Sequence, residues 1–138
     1  MSEQSGVTGP VTFMNRTYEE AVALLVEVRN YLAHHEEAER ERLLPLERLT
    51  VSLETTRMTA MLTHVIAWLM VQKAAAAGEI TRAAATAPEN RLGGRSVCLD
   101  DSATQDERMP ARLRELLSRC HRLYVRVSRL DQLVAQEA

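Results

Sequence analysis

THVIAWLMVQKAAAAGEI, residues 63–80, is the most apolar stretch of the chain and carries its only tryptophan. Its longest unbroken apolar run is Val65–Val71, preceded by His64 and followed by Gln72 and Lys73. A bilayer-spanning helix needs about 20 largely apolar residues, and a charge at mid-depth costs several kcal/mol. The stretch therefore reads as buried protein rather than as a membrane anchor. Around Leu62–Val71 the apolar surface widens to nearly the full circumference, as in a helix packed on most sides. Leu53, Thr56, Ala60, Val65 (or Leu62), Leu69 and Met70 keep a helical period, predicting one helix over about 49–77, which Trp68 marks as the central helix of a bundle. Ala74–Ala77 extend it with small residues that allow close approach, and Gly78 suits a left-handed stop.

The flanks supply two more helices. Thr17 and Glu20 form a T-x-x-E capping pattern, so the first helix is expected to begin there, after a flexible leader at residues 1–16. Ala21, Leu24, Leu25, Val28, Tyr31 and Leu32 make its apolar stripe. The stripe fades into HHEEAERER, and Pro45 breaks the helix. Residues 88–109 are the least regular part, with Pro88, Gly93-Gly94 and the acidic pair Asp100-Asp101. Loops of that length are usually functional or disordered. Pro110 then opens a third helix with a stripe from Leu113 to Leu133 or Val134. The expected fold is an all-α, antiparallel three-helix bundle, with residues 17–138 as one domain and a homodimer covering the leftover apolar surface.

The composition agrees with helices. Of 138 residues 46% are hydrophobic but only 4% aromatic, and the net charge is −2, which gives no global pull toward nucleic acid or anionic lipid. Cys98 and Cys120 form no CxxC, and Met1–Pro10 has no secretory signal, so both read as free cytosolic thiols.

Chemistry-bearing clusters mostly have plainer readings. The imidazoles of His34-His35 point about 100° apart and cannot easily share one ion; the nearest ligand spacings, His34 with Glu37 and His35 with Glu39, lie in a highly charged helix end, so no metal is expected. Cys120-His121 places its side chains about 100° apart, with the thiol on the apolar stripe. Arg91-Leu-Gly-Gly-Arg-Ser lacks the GK[ST] of a phosphate loop. No catalytic residue and no cofactor site is expected, and the chain reads as a non-enzyme. The third helix does carry a basic ridge, in which Arg112, Arg119 and Arg126 repeat every seven residues beside Arg122 and Arg129. That ridge could be a solvated face pairing with the acidic first helix, a docking face for an acidic protein, or a nucleic-acid contact. No aromatics interleave the arginines, which weighs against the last.

The run SLETTRMTAMLTHVIAWLMVQKAAAAGEI at Ser52–Ile80 resembles the signature of the RcdA family, alphaproteobacterial regulators of CtrA degradation. RLGG at Arg91–Gly94, MPARLRELLSRCHRLYVRVSRLDQL at Met109–Leu133 and VTFMNRTYEEAVALLVEVRNYLA at Val11–Ala33 fit the same pattern in order. The resemblance implies a self-associating three-helix bundle that performs no chemistry. It implies a cell-cycle adaptor that brings substrates to the ClpXP protease after CpdR has primed ClpX, and on which PopA can dock. The implied setting is the cytoplasm, with recruitment to a cell pole. Some adaptors of this family carry a flexible C-terminal extension, whereas here few residues follow Leu133. No site residues carry over from the resemblance. From the residues themselves, two partner surfaces are expected: Arg119, Arg122, Arg126 and Arg129 on the third helix, and Arg91, Arg95, Asp100 and Asp101 in the long loop.

Overall fold

The computed structural model describes the backbone of residues 2–137 and the side chains from Thr12 to Glu137. It is 82% helix, and no strand occurs among the described residues, so the all-α expectation is met. The elements are α1 (Ser2–His34), α2 (Glu36–Glu41), α3 (Pro45–Ala76), α4 (Arg82–Ala85), α5 (Arg95–Cys98) and α6 (Ala111–Glu137). Single 3-10 turns lie at Pro88–Asn90 and Ser102–Gln105.

α1 starts earlier than the capping pattern predicts. The Thr17 hydroxyl does not cap; it donates to the Phe13 carbonyl at 2.9 Å, the back-bond of a mid-helix threonine. Thr17 is buried, and Met14 and Tyr18 pack against the core, so the apolar stripe continues N-terminally past Thr17. The described helix begins at Ser2, inside the stretch expected to be a flexible leader. α3 begins at Pro45, whose missing N–H costs nothing at a first helical position. The Glu47 carboxylate accepts from the Leu44 N–H at 3.0 Å, which closes this end. Gly78 ends α3 with φ +78°, as its placement after the alanines predicts.

The three long helices pack on one another around a single core. α1 runs antiparallel to α6, because Glu27 meets Arg119 and Glu20 meets Arg126. It is antiparallel to α3 as well, since Lys73 sits 4.0 Å over the Tyr18 ring while the far end of α1 leads through α2 into the start of α3. α3 and α6, in contrast, are parallel. Leu46 and Thr50 lie with Asp106 and Met109 at one end, and Trp68 bonds Asp131 toward the other. This corrects the expectation of an antiparallel bundle throughout. The physical reason is the segment between α3 and α6. It retraces the whole of α3, which at 32 residues is about 48 Å long, before α6 begins. Along the way Gln72 donates to the Ala85 carbonyl, His64 lies against Gly93 and Gly94, and Arg57 donates to the Val97 and Asp100 carbonyls. What reads as an irregular loop is a crossover laid along α3 and α6.

The buried face of α3 also differs from expectation. Val51, Met58, Met61, Leu62, Val65, Trp68 and Leu69 are core, whereas Leu53, Thr56 and Met70 are exposed. On α1 the structure buries Ala21, Leu24, Val28 and Tyr31 and leaves Leu25 and Leu32 at the surface. The α6 stripe is buried from Leu113 to Val127; Leu133 is exposed.

Candidate functional site

The arginine ridge of α6 splits into two classes. Arg119 reaches Glu27 through two hydrogen bonds, one at 2.8 Å, and Arg126 reaches Glu20 at 2.6 Å. The Arg119 guanidinium holds the Glu27 carboxyl below the usual carboxylate range. Arg112 lies 3.8 Å from Glu39 and 2.6 Å from the His35 ring. For these three the pairing with acidic residues of α1 and α2 is the arrangement observed. Arg122 and Arg129 are exposed and have no ion-pair partner among the described residues. Arg122 lies between the two pairs, in a groove of about 470 Å³ between α1 and α6 floored by Leu24 and Leu123. The matching seven-residue spacings of Glu20/Glu27 and Arg119/Arg126 were the signal in the sequence for this ladder.

The loop residues divide in the same way. Arg91 is committed inward. Its Nε and a terminal nitrogen bond the Asp131 carboxylate at 2.9 Å each, and Asp131 is only 2% exposed. Trp68 Nε1 at 2.9 Å and the Leu92 N–H at 3.3 Å donate to the same carboxylate. A buried carboxylate persists only when its acceptor sites are filled, and here α3 and the crossover fill them. The cluster pins the crossover onto α3 and α6. Sequence reasoning missed it; the available sign was an aspartate standing on the apolar stripe of α6. Arg95 lies against Gln132, whose amide oxygen accepts from it at 2.8 Å in the orientation that satisfies both groups. Asp100 and Asp101 are exposed. The Ser102 N–H donates to the Asp100 carboxylate at 2.9 Å, and that bond holds its pKa low. Val97, 55% exposed, and Leu99 flank them, so the crossover presents an apolar and acidic tip.

The remaining reactive side chains are occupied structurally. Burial pushes the Cys120 thiol up to about 12 and raises Cys98 as well. Tyr31 donates to Glu39 at 2.7 Å, and burial raises its phenol. Among the described residues no group of three His, Cys, Asp or Glu side chains could hold a metal ion. No described helix is long and apolar enough to cross a membrane.

A family model described as "Protein of unknown function (DUF1465)" matches residues 10–138. The crystal structure of RcdA from Caulobacter crescentus CB15 is similar at a TM-score of 0.72 and 32% identity, over 91% of this chain and 92% of that one. The chain belongs to the RcdA family. No curated protein matches it. The RcdA match bears out the resemblance read from the sequence, and α3 with Trp68, the RLGG turn and α6 all lie within the span the family model matches. In the RcdA-family chain the RLGG turn has a visible role. Arg91 closes the buried cluster, and Gly93 and Gly94 admit the His64 ring so closely that a Cβ on either would lie within 3.0 Å of it.

Proposed function

We propose that this chain is a non-enzymatic adaptor that binds CpdR-primed ClpX and recruits substrates to ClpXP in cell-cycle control. Its membership of the RcdA family carries this reading. The physical task is to raise the local concentration of cargo at the protease. Two weak contacts held on one rigid body act as a strong one, with effective concentrations in the millimolar range for short tethers. The chain has a rigid body and two separable exposed surfaces that suit this task. One is the exposed face of α6 at the α1–α6 groove: Arg122 lines the groove, Arg129 lies one heptad further along the helix, and neither has an ion-pair partner among the described residues. The other is the crossover tip with Val97, Leu99, Asp100 and Asp101. Arg91, Arg119 and Arg126 serve these surfaces by holding the scaffold. A PopA-like adaptor and degradation substrates are the further partners of this scheme. The protein acts in the cytoplasm, with recruitment to a cell pole, and as a homodimer. The nucleic-acid reading is weaker, because α1 and α2 carboxylates already face three of the six α6 arginines.

The test is a charge reversal, Arg122→Glu with Arg129→Glu, followed by co-purification of ClpX and CpdR from cells. Both side chains are exposed, so the melting temperature should hold within about 2 °C. Partner recovery should fall several-fold. Undiminished recovery with intact fold removes the α6 face from the scheme, and absence of ClpX and CpdR from the wild-type eluate refutes the adaptor reading.

A further inference from the structure

The ladder of ion pairs between α1 and α6 breaks its own pattern at one rung. Glu20 meets Arg126 at 2.6 Å and Glu27 meets Arg119 at 2.8 Å. Midway between these pairs, one turn from each, α1 presents Ala23 and α6 presents Arg122, and both line the same groove. Where the ladder calls for a third carboxylate, α1 carries only a methyl group. Seven residues further along α6 comes Arg129, and seven residues back along α1 comes Arg16. The register carried past the Glu20–Arg126 pair therefore brings arginine toward arginine, again with no acid at that level. Arg16, Arg122 and Arg129 are exposed, and none has an ion-pair partner among the described residues. This positive row stands in a chain whose net charge is −2.

The chemistry of the row says what it takes. An arginine fork donates two parallel hydrogen bonds to a carboxylate, and groups of arginines are a recurring means of reading acidic motifs. Seven residues of helix separate Arg122 from Arg129 by about 10.5 Å. Two carboxylates three residues apart on an extended peptide, at about 3.3 Å per residue, span the same distance. Glu20 lies between the two arginines, but Arg126 neutralises it, so it does not repel an incoming acid. The floor argues against a helical occupant. Leu24 is 4% exposed and Leu123 1%, which leaves almost no apolar surface for an amphipathic helix to bury. It argues against single-stranded nucleic acid too, because no aromatic ring lines the groove to stack a base.

We infer that Arg122 and Arg129 form a carboxylate-reading site for an extended acidic segment of a partner protein. Ala23 leaves open the side of Arg122 that a glutamate of α1 would otherwise cover. Two exposed charge contacts over a shallow floor make a weak, salt-sensitive site, of the kind that gains strength when a second surface is engaged. The inference deepens the adaptor reading and rests on it only in taking this groove as a partner surface.

The test is fluorescence anisotropy with the full chain and a short labelled peptide bearing two glutamates three residues apart. The same peptide with glutamines and a labelled single-stranded oligonucleotide are the comparison probes. Each charge-assisted contact is worth about a factor of ten, so the glutamate peptide should bind at least about tenfold more tightly than the glutamine peptide at low salt. Arg122→Gln should remove most of that preference. Ala23→Glu should remove it as well while the protein melts no lower than the wild type, because the new carboxylate pairs with Arg122 across the groove. Equal binding of the two peptides by the wild type would overturn the site. A preference retained in Ala23→Glu would overturn the part given to the middle rung. An oligonucleotide that binds more tightly than the glutamate peptide, and is lost with Arg122→Gln, would assign the arginines to nucleic acid instead. The assay contains neither ClpX nor CpdR, so its failure is distinct from a failure of the chain to capture them.

Discussion

Replacing Asp131 by asparagine should destabilise the protein more than any conservative surface change. The carboxylate, 2% exposed, accepts from Trp68, from the Leu92 N–H and from two nitrogens of Arg91. Asparagine keeps one oxygen for Trp68 and Leu92 but turns an amide N–H₂ toward the guanidinium, so two charge-assisted bonds are lost. Each is worth about 1.5–3 kcal/mol, but the Arg91 side chain is 36% exposed and recovers water. A net loss of about 3 kcal/mol follows. With an unfolding entropy of about 2.1 cal/mol/K per residue over 138 residues, that is a fall of roughly 10 °C in melting temperature. Thermal melts at fixed protein concentration, with Arg91→Gln completing a double-mutant cycle, measure both the loss and its coupling. A fall of less than about 3 °C, or additive single effects, would show that the cluster does not pin the crossover.

Three further outcomes are expected. Gly94→Ala should cost at least about 2 kcal/mol, because φ is +78° and the new Cβ would lie 2.6 Å from the His64 ring and 3.0 Å from the Cys98 sulfur; Gly78→Ala, with the same φ and open space, should cost only about 1 kcal/mol. Equal melting temperatures would remove the His64 contact from the account. Cys98 and Cys120 should react with a disulfide reagent at pH 8 only as fast as the protein opens, since both thiols are buried and raised. Prompt stoichiometric labelling of native protein would contradict this. Glu27 has a lowered pKa in the fold, so its pairing with Arg119 stabilises fully above the ordinary carboxylate range and is lost as pH falls through the lowered value. The stability gap between the wild type and Glu27→Gln should therefore close between pH 7 and pH 3, and a gap that widens would refute the pairing.

The local signals in the chain were legible wherever one residue type decides a conformation. Gly78 as a helix stop, Pro45 as a boundary and the α6 stripe around Tyr124 all stand where residue chemistry places them. The face of α3 was not legible, because from Met58 to Gln72 no Asp, Glu, Lys or Arg marks a solvent side. Leu53 and Met70 look as buryable as Val51 and Leu69, and only the positions of α1, α6 and the crossover separate them. The run from Pro88 to Met109 looked structureless because its order comes from side chains far away in sequence, Arg57, His64 and Asp131. The same distance hid the parallel course of α3 and α6. Of the expected partner residues, Arg122, Arg129, Asp100 and Asp101 remain at the surface, while Arg119 and Arg126 pair with Glu27 and Glu20, whose matching spacing was visible in the sequence, and Arg91 is held by Asp131, forty residues away.

The most direct measurement is reconstituted proteolysis: ClpXP, CpdR, a candidate substrate and this chain, with substrate half-life as the readout. The account predicts that adding the chain shortens the half-life several-fold, and that Arg122→Glu with Arg129→Glu abolishes the gain without unfolding the protein. An unchanged half-life at saturating chain, with CpdR present, would contradict it.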